Sequence, residues 1–208
     1  MDYKFSFTAA GLLIQETLTI ARTFASCNDW DLTRQNVIEN NLLQKEKEAT
    51  AKRQYMEIEL RLKNLSSEQI ELLCNGSQAD AVAMIWLSVI KTYSFISDFV
   101  LEILCVNYTE RHYIVTDGQY NMFWESKKAI NETAAKVSDN TAKKIKQVVF
   151  KMIQDVGIIT SIKERAIIKP IISSEVEGVI INDNPKFLTA FLYESYEIKQ
   201  LIDKYAVQ

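Results

Sequence analysis

Glycine and proline are scarce in this chain: its 208 residues include five glycines and two prolines. Together they make up about 3% of the residues, against roughly 12% in average proteins. Tight turns between strands depend heavily on these two residues, because glycine tolerates positive φ and proline fixes φ. A sandwich or barrel built from many short strands is therefore strongly disfavoured, and we expect a mainly α-helical fold.

Helix-capping residues, and apolar residues that recur with a period of 3.6 residues, predict helices along most of the chain. The predicted helices are Thr8–Ser26, Asp31–Asn40, Gln44–Leu65, a segment from Ser66 or Ser67 to Cys74, Thr116–Ala129 and Asp139–Val156, with two more starting near Pro185 and Tyr196. The expected caps of the first, second, fourth and fifth are Thr8, Asp31, Ser66 or Ser67, and Thr116. The dense apolar run from Gln78 to about Tyr108 is expected to form the core, with a break near Lys91 and Tyr93.

The clearest helix is Asp139–Val156, with Ser138 as its cap and Gly157 as its stop. One face carries the apolar stripe, which consists of Ile145, Val148, Val149, Met152, Ile153 and Val156. After it, Ile158–Thr160 and Ala166–Lys169 are predicted to form two short strands joined by a charged turn. This order, with a wing-like element near 158–169, resembles the second half of a winged helix-turn-helix, whose second helix enters the major groove.

Length and apolar content place the chain among single compact domains. We expect one helical domain over 1–208, with a possible subdivision into a helical core (1–115) and a winged-helix-like part (116–208). No run of about 20 apolar residues is available to cross a membrane. The three cysteines are not spaced as pairs, so they are interpreted as buried thiols in a reducing, cytoplasmic environment.

Charge is unevenly distributed, although the net charge is −3. Residues 34–63 carry seven basic and five acidic side chains, and residues 136–170 carry eight basic and three acidic ones. A local basic surface can bind a polyanion even on an acidic protein. The predicted DNA-binding residues are Lys45, Lys47, Lys52, Arg53, Lys143, Lys144, Lys146, Lys151, Lys163 and Arg165.

Catalytic chemistry finds little support in the sequence. His112 is the single histidine, and no cysteine or acidic cluster at ligand spacing accompanies it, so no metal site is expected. The chain has neither a Gly-x-Ser-x-Gly elbow nor a Gly-Lys-Ser/Thr phosphate loop. We therefore expect a non-enzymatic protein without a cofactor.

Several stretches, in their order and spacing, resemble the BrxA family of the bacterial BREX phage-exclusion systems. They are Phe7–Leu13, Glu16–Leu18, Asn41–Leu43, Thr50–Arg53, Glu57–Ile58, Arg61–Leu62, Tyr93–Ile96, Asp98–Phe99, Lys143–Lys144 and Val149–Met152. The resemblance covers roughly 5–190. It implies a small helical DNA-binding accessory protein, with a fold likened to a small helical antitermination factor that binds RNA.

Three functions follow as hypotheses. The first is duplex DNA binding through backbone phosphates, since the basic side chains are mostly lysines rather than groups suited to bidentate base reading. The second is a protein scaffold for the other BREX components (a methyltransferase, an ATPase and a phosphatase-like protein), using an acidic and aromatic surface around Tyr120, Phe123 and Trp124. The third is an RNA-binding regulator.

Overall fold

A computed structural model describes residues 2–206, and in this part of the chain the secondary structure is almost entirely helical. Contacts divide the chain into two units, which we call the N-terminal unit (12–92) and the C-terminal unit (2–11 with 93–206). The prediction of a single domain with a subdivision at residue 115 stays a prediction. None of the helices in the described residues is both long and apolar enough to cross a membrane.

The N-terminal unit consists of five helices. They are α1 (Ile14–Cys27), α2 (Trp30–Glu39), α3 (Glu48–Leu62), α4 (Ser67–Asn75) and α5 (Gln78–Thr92). Helix α5 forms the centre of its core, with Trp86 and Leu87 fully buried. Helix α4 begins with a capping box between Ser66 and Gln69, so Ser66 is its cap.

The first predicted helix is wrong at its start. Residues Ser6–Ala9 form a short 3₁₀ helix, and α1 begins at Ile14 after Leu13, whose φ is +50°. Phe7 is fully buried and its ring centroid lies 5.2 Å from that of Tyr93. This aromatic contact ties the segment before α1 to the C-terminal unit, so the helix does not extend back to Thr8.

The C-terminal unit contains the remaining helices. They are α6 (Ser94–Phe99), α7 (Val106–Thr109), α8 (Asp117–Ile130), α9 (Glu132–Ala135), α10 (Asp139–Asp155), α11 (Ser174–Asp183) and α12 (Ser195–Tyr205), with a 3₁₀ helix at Pro185–Phe191. The predicted break near Lys91 and Tyr93 is confirmed, because Tyr93 is extended between α5 and α6. The aromatic core of this unit includes the buried ring of Phe99, whose centroid lies 5.2 Å from that of Phe123 and 5.7 Å from that of Phe150.

A π-helical stretch, Val100–Cys105, joins α6 to α7 without a break in the chain direction. Asn107, just beyond it, is buried, and its side-chain amide exchanges two hydrogen bonds with that of Gln119, at 2.8 and 3.2 Å. Gln119 also accepts a hydrogen bond from the backbone N–H of Thr116, which caps α8. The π-helical stretch therefore positions the start of α8.

The prediction of a two-stranded wing near 158–169 is wrong. Among the described residues, these segments share one isolated antiparallel bridge, between Ile159 and Ile167. Backbone hydrogen bonds from Thr160 to Ala166 and from Ile168 to Ile158 flank this bridge. The pairing does not extend towards the turn, because Arg165 has a left-handed φ of +54° that an extended strand does not adopt. On the other edge of the second segment, the N–H of Ile167 donates to the carbonyl of Tyr113, and a second isolated bridge joins Ile114 to Ala166.

Candidate nucleic-acid interface

Helix α10 has one buried and one exposed face. Five of the six residues of the predicted apolar stripe are buried, since Ile145, Val149, Met152 and Ile153 are fully buried and Val148 is 8% exposed. The sixth, Val156, is half-buried at the C-cap. Ser138 caps the helix by accepting a hydrogen bond from the backbone N–H of Thr141. At 100° per residue, the exposed side chains Lys143, Lys144, Gln147 and Lys151 lie on one outward face.

Three of the six predicted basic contacts in and after α10 are exposed and free of ion pairs among the described residues. Lys143, Lys144 and Lys163 are exposed and make no ion pair within residues 2–206. Lys151 is exposed but pairs with Asp155, one turn further along α10. An exposed pair of this kind contributes little stability, so a phosphate can compete for Lys151. The other two, Lys146 and Arg165, are held in ion pairs within the protein.

Asp117, the first residue of α8, binds two of the predicted contact residues. Its Oδ1 atom lies 2.7 Å from Nζ of Lys146 and 2.6 Å from Nη1 of Arg165. The Arg165 guanidinium also lies 4.4 Å from the centroid of the Phe150 ring. Asp117 therefore fixes the turn 161–165 against α8 and α10, and Lys146 and Arg165 are structural residues rather than free cations.

The backbone supports this interpretation of Arg165. Its φ is +54°, a left-handed conformation that costs a residue with a Cβ about 1–2 kcal/mol. The side chain offsets this cost through Asp117, Phe150 and a 2.9 Å hydrogen bond from Nε to the carbonyl of Ile162. Gln154 of α10 holds the same turn by accepting a hydrogen bond from the backbone N–H of Ile162.

Replacing Asp117 by asparagine is expected to destabilise the protein slightly at neutral pH and to have no effect in strong acid. Hydrogen bonds from Lys146 and Arg165 lower the pKa of Asp117 from 3.8 to about 2. Because the folded-state pKa is lowered, this stabilisation is complete above pH 3.8 and is lost as the pH falls towards 2. The carboxylate is 65% exposed, so screening limits the effect to less than about 1 kcal/mol.

Urea unfolding of parent and Asp117→Asn protein across this pH range measures the effect. The two stability curves should converge on acidification. A difference that widens as the pH falls would contradict the assignment of the low pKa to this carboxylate.

The second basic segment, in the N-terminal unit, is also partly neutralised. Lys45 pairs with Glu16 at 2.7 Å and is largely buried, and the exposed Lys52 pairs with Glu48 one turn earlier in α3. Lys47 and Arg53 are exposed and make no ion pair within residues 2–206. Two of the four predicted contacts in this segment are therefore available.

The aromatic surface expected for a protein scaffold is absent from the described residues. Tyr120 and Phe123 are each 3% exposed and Trp124 is 8% exposed, so this prediction is wrong. Their rings pack against Phe95, Phe99 and Phe150. Helix α8 presents aromatic residues at the i, i+3, i+4 spacing because this is its core-facing side.

Residues with catalytic or metal-binding chemistry are dispersed. His112 is exposed and lies 3.4 Å from the Glu110 carboxylate. Within residues 2–206, no three His, Cys, Asp or Glu side chains gather closely enough to hold a metal ion. The cysteines of this part are free thiols, and burial raises the pKa of the Cys105 thiol to about 12.

A solved structure and three curated proteins are similar to this chain. The structure is described as an uncharacterized protein from Magnetospirillum magneticum, with a TM-score of 0.79, 21% identity, and coverage of 92% of this chain and 98% of that one. This likeness shows the fold.

The three curated relatives are each named BREX protein BrxA. The protein of Bacillus cereus (strain H3081.97) is 26% identical over 69% of this chain and 72% of its own length. The protein of Escherichia coli O9:H4 (strain HS) is 22% identical over 81% and 79%. That of Paramagnetospirillum magneticum (strain ATCC 700264 / AMB-1) is 23% identical over 89% and 94%.

The BrxA family model matches residues 1–184, which is most of the chain. The match includes α10 and the turn that follows it, where the exposed lysines lie. The resemblance expected from the sequence is confirmed, and this chain belongs to the BrxA family.

Proposed function

We propose that this protein is a non-enzymatic, DNA-binding accessory protein of a BREX phage-defence system. It binds duplex DNA mainly through backbone phosphates. The observation that carries the proposal is the outward face of α10, where Lys143, Lys144 and Lys151 stand on a helix whose opposite face is buried.

The neighbouring turn extends this basic surface. Lys163 is exposed in a turn that Asp117, Gln154 and Phe150 hold against α10. Because the turn is fixed, Lys163 meets a bound phosphate without a large ordering cost. Lysines act on phosphates as point charges and carry little base preference, so we expect binding that depends weakly on sequence.

Groove shape favours DNA over duplex RNA as the ligand. A helix enters the wide major groove of B-form DNA, whereas the A-form major groove is too narrow to admit it. The scaffold alternative loses its predicted aromatic surface, since those rings are buried. Contacts with a BREX methyltransferase, ATPase or phosphatase-like protein remain compatible with DNA binding.

A gel-shift titration tests the proposal, using two duplexes of unrelated sequence at about 50 and 200 mM salt. We expect similar affinities for both duplexes and a steep loss of affinity as the salt concentration rises. The slope of log affinity against log salt concentration should be near −0.9 for each phosphate contacted. Duplex RNA of equal length should compete poorly. Salt-independent binding would contradict phosphate contacts, and a thousandfold preference for one duplex would contradict sequence independence.

A further inference from the structure

A cavity of about 710 Å³ lies within the N-terminal unit, between the end of α1, the turn before α2, the end of α3 and α4. This volume falls in the range of roughly 300–1,000 Å³ that is typical of small-molecule sites. Its lining includes the buried Leu62, Leu65 and Cys74. The bottom of the cavity is therefore apolar, and none of the predicted DNA contacts lies in it.

Two stacked aromatic rings form one wall. Phe24 and Trp30 lie with centroids 3.9 Å apart and planes inclined by 15°. The ammonium group of Lys63 lies 5.5 Å from the Trp30 centroid, and it must be on the face that Phe24 does not cover. Trp30 thus contacts a ring and an ammonium group, and the half-buried Phe24, which also lines the cavity, is the ring left for a flat ligand to stack on.

The rim of the cavity carries charged side chains of both signs. Arg22 and Lys63 both line it, against a single lining carboxylate, that of Glu71. Lys63 is paired with Glu59 at 2.6 Å, whereas Arg22 is exposed and makes no ion pair within the described residues. An unpaired guanidinium presents a planar fork of donors that suits a phosphate or a carboxylate.

Burial raises the pKa of the Cys74 thiol, although the charge of Arg22 acts in the opposite direction. The thiol at the bottom of the cavity is therefore neutral and serves as an apolar surface. A covalent or metal-dependent role for this cavity has no support among its lining residues.

We propose that this cavity binds a nucleotide, with the base stacked on Phe24 and the phosphate held by Arg22. A nucleotide combines a flat, weakly polar ring with a phosphate at a short, fixed distance. The cavity offers a complementary pair, an aromatic face above an apolar bottom and an unpaired guanidinium at the rim. The site is independent of the DNA interface proposed on α10.

Titration of the full-length protein with adenosine 5′-monophosphate tests this inference by calorimetry and tryptophan fluorescence. Trp86 is fully buried and Trp124 is 8% exposed, so a fluorescence change reports mainly on Trp30 beside the cavity. We expect saturable binding at micromolar to millimolar nucleotide. Adenosine, which lacks the phosphate, should bind at least tenfold more weakly, and inorganic phosphate should leave the fluorescence unchanged.

Arg22→Ala should weaken nucleotide binding at least tenfold, while the matched control Arg34→Ala, an exposed arginine outside the cavity, should bind as the parent does. Arg22 is exposed, so its replacement leaves the fold intact, which circular dichroism verifies. Absence of saturable binding at millimolar nucleotide overturns the inference, as does parental affinity in Arg22→Ala. A variant that is defective in DNA binding should still bind the nucleotide with the parent's affinity. This result would show that the two sites are independent.

Discussion

Replacing Lys127 by alanine is expected to lower the free energy of unfolding by about 3 kcal/mol, the lower end of the range for breaking a buried ion pair. The Lys127 side chain is 7% exposed, and its ammonium lies 2.5 Å from Glu102 and 3.2 Å from Asp98. It also lies 5.1 Å from the centroid of Phe123. Glu102 is half exposed, so the carboxylates left behind stay partly solvated, which moderates the loss.

The pH dependence of this variant should also change. Burial alone would lower the pKa of Lys127, but hydrogen bonds to Glu102 and Asp98 outweigh it and raise the pKa. Because the folded-state pKa of Lys127 is raised above its ordinary 10.5, its stabilisation is complete below that pH and is lost as the pH rises through the folded-state pKa. The difference in stability between parent and variant should therefore stay constant around neutral pH and narrow only in alkali above about pH 10.5.

Lys128→Ala is the matched control, because Lys128 is the next residue and pairs with Glu125 at the surface. Its replacement should change stability by no more than about 0.5 kcal/mol. Urea unfolding at two pH values measures both variants. Equal stabilities for the two alanine variants would show that the Lys127 cluster contributes nothing to folding.

Charge reversal at Lys144 and Lys151 together is expected to weaken duplex DNA binding at least tenfold at low salt. The two residues are seven positions apart on α10, or about 10 Å along the helix axis, so both can contact one phosphate backbone. Each lysine–phosphate contact contributes about one unit of salt dependence. The slope of affinity against salt should therefore become shallower by about two.

The double variant Lys128→Glu/Lys136→Glu is the matched control. It changes the net charge by the same amount as the test variant, at two other lysines of the C-terminal unit, whose side chains are 36% and 77% exposed. It should alter DNA affinity less than threefold. A glutamate at position 151 faces Asp155, which costs only about 0.2–0.5 kcal/mol, so both variants should melt close to the parent. If Lys144→Glu/Lys151→Glu binds like the parent, Lys47 and Arg53 become the leading DNA contacts.

Much of the fold was predictable because its signals are local. Ser66, Thr116 and Ser138 each cap the helix that the sequence assigns to them. The apolar period of α10 identifies its buried face from sequence alone. The isolated bridges that replace the wing were not predictable, because one of them joins Ala166 to Ile114, which lies more than 50 residues earlier.

The burial of charged residues and their long-range ion pairs could not be predicted from the sequence either. Lys127 and Lys128 are adjacent, yet the 100° between neighbouring helical residues buries the first and leaves the second near the surface. Asp117 follows a helix cap, where an acidic residue is common for reasons of helix polarity alone. Nothing local indicates its contacts with Lys146 and Arg165, which are 29 and 48 residues away.

The π-helical stretch Val100–Cys105 fits one residue more than an α-helix would place over nearly the same rise. Because the wider turns rotate less per residue, the extra residue is absorbed, and α6 and α7 keep nearly the phase of one continuous α-helix. Deleting one residue from this stretch should therefore restore an ordinary α-helix with Asn107 still directed at Gln119. The stretch is thus a place where the chain tolerates a one-residue change of length that would turn the far half of an ordinary helix by about 100°.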